Sequence, residues 1–302
     1  MSRIGLKRRI LDVVAGRAAF AATAFAFVLA VGFGAMLWWK AAPLLESNSA
    51  AKLLFSSEWL PAAGKFGFLP FILGTLWVTA LSMLIAIPLS FFTAVYLYEY
   101  APRPIERMMR SIVELLAGVP SVVFGVWGVV MIVPLVRSGA AGLAHKSVTG
   151  YSVLAGGVVL ALMVVPIMVS VMLEVLKGVP AGLKEVSLSL GATRWETVRR
   201  VVCKACAPGL VAACILALAR AFGETMAVLM VVGNVAVSPR SVLDPAYPLP
   251  ALIANNYGEM MSVKLYDSAL MMAALVLMLV VVASHIAARL IVMRVSKNAS
   301  TY

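Results

Sequence analysis

Six long apolar runs constrain this 302-residue sequence more than any other feature. They cover about residues 17–39, 71–98, 112–136, 151–176, 206–232 and 268–292. Each exceeds the ~20 residues that a helix needs to cross a bilayer. Because lipid offers the backbone no hydrogen-bonding partner, such runs are expected to be helical. With 63% hydrophobic residues and a mean hydropathy of +1.00, the sequence predicts an all-α, polytopic protein with six transmembrane helices in one domain, residues 17–302.

The segment before the first run is basic. Residues 1–16 include Arg3, Lys7, Arg8 and Arg9, and we expect them to form a cytoplasmic tail. The apolar run that follows is too long for the core of a signal peptide, and no small-residue cleavage site follows it. The pattern therefore indicates an uncleaved signal-anchor helix.

The net charge of +12 is explained by membrane topology. If the first helix starts in the cytoplasm, 17 of the 25 Lys and Arg residues fall on the cytoplasmic side and 7 on the outer side. Arg220, inside a helix, completes the count. This asymmetry follows the positive-inside rule and predicts that both termini are cytoplasmic. No basic-aromatic pattern typical of nucleic-acid binding competes with this interpretation, so no nucleic-acid partner is expected.

Arg220 and Glu224 interrupt the fifth apolar run. Arg220 lies about 20 Å along that segment, near the expected bilayer centre. A lone charge there costs at least ~2.5–3.5 kcal/mol, so such a residue normally faces a polar path or a partner. The two residues are one helical turn apart and could pair with each other. The sequence favours a translocation path for a charged solute, and a structural ion pair between helices remains the alternative.

The connector between the fourth and fifth runs, about residues 180–200, predicts two short helices. Pro180 ends the preceding helix, and Gly191 suits a left-handed C-terminal cap. Thr193 and Glu196 have the spacing of a capping box, which predicts the start of a second helix. The small side chain of Ser187 makes this helix–glycine–helix elbow suited to insertion into a groove of a cytoplasmic partner. The alternative is an amphipathic turn lying on lipid headgroups.

Two further segments carry breaks. Gly118, Pro120 and Ser121 interrupt the start of the third run, where proline removes a helical hydrogen bond, and they predict either a gate or a static kink. The loop at residues 234–267 contains four prolines and is too long for an idle turn. We expect it to form a lid-like or re-entrant cover, or a simple outer cap.

Catalytic motifs are absent from the sequence. No G-x-x-x-x-G-K-[ST] phosphate loop occurs, so this chain is not expected to hydrolyse ATP in the usual way, and any such work with ATP and Mg would fall to a partner. His145 and His285 are isolated, and Cys203, Cys206 and Cys214 lack a second metal-ligand pair. The chain is expected to be a transport subunit, not an enzyme, and to bind no cofactor or metal itself.

Glu185 and Gly191 have the spacing of the Glu-Ala-Ala-x-x-x-Gly signature, and the elbow resembles the coupling helix of bacterial ABC-importer permeases. Val186 and Ser187 replace the two alanines, and Lys204 occupies the place of the usual downstream proline. Three other stretches are similar to the phosphate-specific, PstC-type permeases. They are Lys65-Phe66-Gly67-x-Leu69-Pro70-Phe71-Ile72, Glu114-Leu115-Leu116-Ala117-Gly118-Val119-Pro120-Ser121 and Arg220-Ala221-Phe222-Gly223-Glu224-Thr225-Met226-Ala227.

The resemblance implies a type I ABC-importer permease fold in the bacterial inner membrane. Its implied partners are a second, PstA-like permease subunit, two ATP-binding subunits, a periplasmic phosphate-binding protein and membrane lipids. It assigns Arg220 and Glu224 to phosphate passage, and Glu185, Val186, Ser187 and Gly191 to coupling with the ATPase. Importers of sulfate, molybdate or tungstate share the coupling motif, so another oxyanion remains open. An ATP-independent anion channel or carrier is the other alternative.

Overall fold

The computed structural model describes residues 3–144, 149–259, 263 and 265–299. Within these residues the chain is mostly helical, as the composition predicts. The helices are α1 (Arg3–Ser47), α2 (Ala50–Phe55), α3 (Leu69–Val95), α4 (Arg103–Ala117), α5 (Ser121–Trp127), α6 (Val133–Ala144), α7 (Val153–Lys177), α8 (Ala181–Ser189), α9 (Arg194–Thr197), α10 (Cys203–Ala205), α11 (Ala207–Gly223), α12 (Met226–Val231), α13 (Leu249–Asn256) and α14 (Tyr266–Ala299). Wide π-helical turns extend α3 over Tyr96–Tyr100, join α5 to α6 over Gly128–Ile132, and join α9 to α10 over Val198–Val202.

Five segments are long and apolar enough to cross a membrane. They are Leu11–Ser47, Leu69–Tyr100, Ser121–Gly139, Val153–Lys177 and Tyr266–Ile291. A sixth span results when Arg194–Ala205 and Ala207–Gly223, which meet at 75°, are taken together. This arrangement confirms the all-α, polytopic fold that the six apolar runs predict.

The centre of the molecule is the pair α3 and α7. Gly157 of α7 allows the close approach, because a Cβ at this position would lie 2.8 Å from Cδ2 of Leu81 on α3. Leu160, Met168 and Met172 of α7 are buried in the same core. The long α1 packs against α14 mainly through its last third, where Leu44 is fully buried. Most of α1 is therefore exposed apolar surface, as expected for a helix that faces lipid.

The two ends of the helical bundle differ. At one end, here called the elbow end, Lys184 of α8 contacts Glu99 in the π-helical turn that follows α3. At the other, here called the distal end, strands Trp59–Leu60 and Lys65–Phe66 form a short antiparallel hairpin. Trp59 packs edge-on against Phe71, with ring centroids 4.9 Å apart. The helix α13 covers this end, and the Leu249 backbone N–H donates to the buried Thr75 hydroxyl at 2.9 Å. The loop at residues 234–267 is thus a packed cover over its described part; residues 260–262 and 264 lie outside that part.

The start of the third transmembrane helix and the structure of the N-terminal tail differ from the prediction. The third transmembrane helix begins at Ser121, not near residue 112, because Gly118 and Pro120 form a corner that separates it from α4. Average hydropathy merged the two because α4 is amphipathic, burying Val113 while Arg107 stays exposed. The predicted cytoplasmic tail, residues 1–16, is helical from Arg3 onward and continuous with the first span.

The fifth apolar run, predicted as a continuous helix over 206–232, is broken. The helix α11 ends at Gly223, and Glu224 has an extended backbone with ψ of 123°. A new helix, α12, begins at Met226. Sequence hydropathy cannot detect this break because apolar residues continue on both sides of it.

Candidate translocation site and coupling elbow

Arg220 lies in the last turn of α11 on the face that the chain itself leaves uncovered. The buried face of this helix is a stripe of small residues, Ala213, Ala217 and Ala221, which packs into the core. The opposite face carries Leu216, one turn before Arg220, and both are exposed. No described residue forms an ion pair with the Arg220 guanidinium. The fold therefore presents a cation, near the break in the fifth apolar run, to whatever lies beside α11.

Glu224 lies at the break and serves the next helix. Its Oε1 accepts a hydrogen bond from the Ala227 backbone N–H at 3.3 Å, so it caps the first turn of α12. The pairing of Arg220 with Glu224 is absent from the described residues, and that hypothesis is wrong. The physical reason is the break, which removes the helical i, i+4 geometry on which the pairing depended. The two residues remain neighbours along the chain but have different local roles.

The helix after the break, α12, packs closely against α5. A Cβ on Gly125 would lie 2.6 Å from Met230 Sδ and 3.1 Å from the Ala227 Cα. A Cβ on Gly128 would lie 2.8 Å from Val231 Cγ1. These two glycines permit the backbone of the third span to approach α12 closely, as small residues do at membrane helix contacts. The part of the fifth apolar run that follows the break, α12, is thus packed against the third span.

The candidate gate residues lie at a corner between helices. Gly118 ends α4, and Pro120 precedes the first residue of α5, Ser121. Proline is tolerated at the start of a helix because the first backbone N–H groups there have no acceptor within the helix. The N–H that proline lacks therefore costs no helical hydrogen bond. The three residues therefore connect an amphipathic helix to a transmembrane helix and do not interrupt one.

The elbow has the predicted local structure. Gly191 follows α8 with φ of +85°, a conformation that side chains disfavour. Thr193 and Glu196 form the complete capping box of α9. The Thr193 backbone N–H and hydroxyl both donate to a Glu196 carboxylate oxygen, at 3.0 and 2.9 Å. The Ser187 hydroxyl lies 2.9 Å from that of Thr197, which joins the two short helices.

The elbow also exposes a set of apolar and acidic side chains. Leu190 is 83% exposed and Val186 is 60% exposed. Glu185 is exposed beside Val186, and α8 has no buried residue. Of the four predicted coupling positions, Glu185, Val186 and Gly191 are exposed, and Ser187 is half-buried and faces Thr197. Leu190 is a further exposed position of the elbow. The motif does not include it, but its place directly before the capping Gly191 could have indicated it.

Ion pairs at the elbow end were not predicted from the sequence. Arg110 of α4 donates to Glu174 of α7 at 2.7 Å, and Lys177 pairs with Glu106. Lys184 of α8 lies 2.6 Å from Glu99, whose side chain is only 2% exposed. These contacts join residues 64 to 85 positions apart, so a single sequence offers no signal that pairs them.

The remaining polar candidates form no assembled centre. Cys206 is buried in the core, and Cys203 and Cys214 pack against it. The described residues contain no group of three His, Cys, Asp or Glu side chains suited to a metal ion. His285 lies on α14, and His145 lies outside the described residues.

The chain is similar to known transport permeases. The family model described as "Binding-protein-dependent transport system inner membrane component" matches residues 86–297. The phosphate transport system permease protein PstC of Xylella fastidiosa (strain 9a5c) is 36% identical over 293 residues, covering 92% of this chain and 89% of that protein. The probable ABC transporter permease protein YqgH of Bacillus subtilis (strain 168) is 39% identical, covering 84% of this chain and 82% of that protein.

A solved structure supports the fold. A chain of a bacterial alginate ABC transporter, crystallised with an alginate-bound periplasmic protein, superimposes with a TM-score of 0.63. The match covers 94% of this chain and 97% of that one at 15% identity, so it bears on the fold alone. Together with the family model and the close relatives, the fold leads to one assignment. The chain belongs to the family of inner-membrane components of binding-protein-dependent transport systems, and within it groups with the PstC-type permeases.

Proposed function

We propose that this chain is a membrane-spanning subunit of an ATP-driven phosphate importer, and that Arg220 lines the translocation path. The observation that carries the proposal is the uncovered Arg220 side chain beside the break in helix five. Among its relatives, those named PstC are phosphate transport permeases, which supports phosphate as the solute.

The chemistry of Arg220 suits a transient anion site. Its planar guanidinium presents paired N–H donors to a tetrahedral oxyanion. Since no described acidic group pairs with it, the positive charge is available to a passing anion. Binding must also be weak enough for release, and Glu224 one residue beyond the end of α11 reduces the net positive charge nearby.

The elbow is proposed to transmit the state of a cytoplasmic ATPase. Its projection of Glu185, Val186 and Leu190 offers exposed apolar surface and one carboxylate to a groove on the partner. In this scheme the partners are a second, PstA-like permease, two ATP-binding subunits that use ATP and Mg, and a periplasmic phosphate-binding protein. The elbow end then faces the cytoplasm together with both termini, and the distal cover contacts the binding protein.

The gate assignment belongs to the same proposal. The corner at Gly118, Pro120 and Ser121 joins α4, which is tied to α7 by ion pairs, to α5, which packs against α12. A displacement of α4 would therefore be passed to α5, and through α5 to α12.

The substrate is tested by radiolabelled phosphate uptake in cells that lack the gene. Complementation with the wild-type chain is expected to restore uptake that excess sulfate or molybdate does not inhibit. Uptake that never depends on the gene would contradict phosphate, and inhibition by one competitor would assign that oxyanion instead.

Coupling is tested by Glu185→Lys. Reversing this exposed charge on the docking projection is expected to reduce the amount of ATPase subunit that co-purifies with the chain and to abolish uptake. Lys65→Met at the distal end serves as the control, since it removes a charge from an exposed ion pair far from the elbow. Full transport by the inserted Glu185→Lys variant would contradict an ATP-driven mechanism and favour an independent carrier.

A further inference from the structure

The ion pair between Lys184 and Glu99 joins the elbow to the second transmembrane span. Lys184 lies in α8, immediately before Glu185, and Glu99 lies in the π-helical turn that extends α3. The Lys184 Nζ lies 2.6 Å from Glu99 Oε2 and 5.5 Å from the centroid of the Tyr98 ring. The ammonium thus contacts both a carboxylate and an aromatic face on the same turn of α3.

This pair differs from an ordinary surface salt bridge in its burial. The Glu99 side chain is 2% exposed and Lys184 is 30% exposed, whereas Lys65 and Glu58 at the distal end are 52% and 62% exposed. Exposed pairs contribute little, but separating a buried pair leaves a charge without its partner. The Glu99 Oε2 contact lacks hydrogen-bond geometry, so its attraction is electrostatic and tolerates small changes of angle.

The helix α8 has few other attachments to α3, whereas the residues that end the elbow, Thr197 and Val198, are buried. The helix α8 has no buried residue, so no interlocked core side chain holds it against the bundle. The contact between Ser187 and Thr197 is internal to the elbow. A movement of α8 would accordingly pass to α3 through the ion pair more directly than through packing.

We propose that Lys184 and Glu99 form a latch through which the elbow moves the end of the second transmembrane span. The inference rests on the proposed coupling role of the elbow and adds the route by which its displacement enters the membrane domain. Lys184 and Glu99 are positioning residues in this account, since neither is placed in the translocation path. The turn that they move, Tyr96–Tyr100, is the elbow end of α3, the helix packed against α7 at the centre of the molecule.

The test follows the end of α3 directly and does not depend on the identity of the solute. In the assembled transporter, Tyr100, which is 42% exposed, is replaced by cysteine. Its alkylation rate is measured by mass spectrometry of that peptide, with and without ATP. ATP is expected to change the rate by about fivefold, the scale of an ordinary coupling between sites. Lys184→Met and Glu99→Gln should each remove most of the change but leave a measurable remainder, and Lys184→Arg should retain it.

Controls separate the latch from docking and from folding. The ATPase subunit should co-purify with the Lys184→Met variant as it does with wild type, and Lys65→Met should keep the full ATP response. The double variant, Lys184→Met with Glu99→Gln, should be no worse than either single variant, because both remove the same interaction.

Three results would overturn the latch. They are an intact ATP response in Lys184→Met, additive losses in the double variant, and loss of the ATPase subunit from Lys184→Met, which would assign Lys184 to docking. Failure of the proposed function looks different, since it appears as a wild-type chain that retains no ATPase subunit or moves no phosphate.

Discussion

At the scale of single residues, the energetics of Arg220 argue for function over packing. A charge at the centre of a span is unfavourable by at least ~2.5–3.5 kcal/mol. Arg220 lies within the fifth apolar run, and no described residue forms an ion pair with it. The buried face of the same helix is a stripe of alanines that has no need of a cation. Arg220 is unfavourable for folding and lies outside the packed core of its own chain. Its presence is best explained by an interaction with the transported solute.

Glu224 allows its capping role to be separated from its charge. Glu224→Gln keeps a side-chain oxygen that can accept from the Ala227 N–H, so the thermal midpoint in detergent should stay near that of wild type. Glu224→Ala removes the acceptor and should lower stability by about 0.5–2 kcal/mol. Equal midpoints for the two variants would contradict the capping role. Phosphate uptake by the Gln variant then reports what the charge itself contributes.

Sequence reasoning located these residues but not their geometry. The lone charges in an apolar run were visible in the sequence, because hydropathy makes them conspicuous. The break at Gly223 was not, since the residues after it are as apolar as those before it. The hypothesis that Arg220 and Glu224 could pair assumed an unbroken helix and is wrong for that reason.

At the scale of elements, the packing of α5 against α12 predicts intolerance of side chains at Gly125. Gly125→Ala would place its Cβ 2.6 Å from Met230 Sδ and 3.1 Å from the Ala227 Cα. Met230 can move, but the backbone of α12 cannot do so without displacing the half-helix. We expect destabilisation of about 1–3 kcal/mol and reduced uptake.

Gly139→Ala is the matched control, because nothing lies within 4 Å of the added methyl group. Both variants are compared by thermal unfolding in detergent and by uptake. A Gly125→Ala variant as stable and active as Gly139→Ala would show that α5 does not hold α12 closely.

The ion pairs between α4 and α7 predict a dependence of stability on pH. In the folded protein the pKa of the Glu106 carboxyl is lowered, chiefly by its hydrogen bond with Lys177 and further by the charge of Arg110. Its contribution to stability is therefore complete above the ordinary value of 4.5 and is lost as pH falls through the lowered pKa. The thermal midpoint of Glu106→Gln should fall less steeply than that of wild type in this acidic range.

Glu114→Gln on the same helix is the control for that experiment, since the described residues give Glu114 no ion pair. Its midpoint should follow the wild-type pH profile. Identical profiles for Glu106→Gln and wild type would contradict a stabilising tie between α4 and α7.

The elbow shows how far local signals reach. Its two short helices, the left-handed Gly191 and the capping box of Thr193 and Glu196 were all predicted, because each depends on residues within one or two turns. The separation of α4 from the third span was missed, although Gly118 and Pro120 were noticed. Average hydropathy does not show which face of a helix is apolar, and that face distinguishes an amphipathic helix from a span.

At the scale of the whole molecule, the distribution of basic residues predicts its orientation. Single cysteines introduced at the elbow, as Arg199→Cys, and at the distal hairpin, as Lys65→Cys, should differ in their reaction with a membrane-impermeant reagent in intact cells. The distal position should react and the elbow position should not, with labelled peptides distinguished by mass spectrometry. Reaction at the elbow from outside would reverse the proposed topology.

The architecture was largely predictable, and the contacts between its parts were not. The number and helical nature of the spans follow from run length and the absence of backbone partners in lipid. The ties at the elbow end connect residues distant in sequence, such as Lys184 and Glu99, and no periodicity encodes such pairs. The packed distal cover required the structure for the same reason, since Thr75 and Leu249 are 174 positions apart.

The most direct test of the central claim is phosphate uptake by Arg220 variants in cells that lack the gene, with the amount of inserted chain measured alongside. Arg220→Gln keeps polar N–H donors but removes the charge, and it should lower uptake at least about tenfold, as expected for loss of a charge-assisted site. Arg220→Lys should retain part of the activity, and Leu216→Ala on the same face should retain nearly all of it. Wild-type uptake by a normally inserted Arg220→Gln chain would contradict the account.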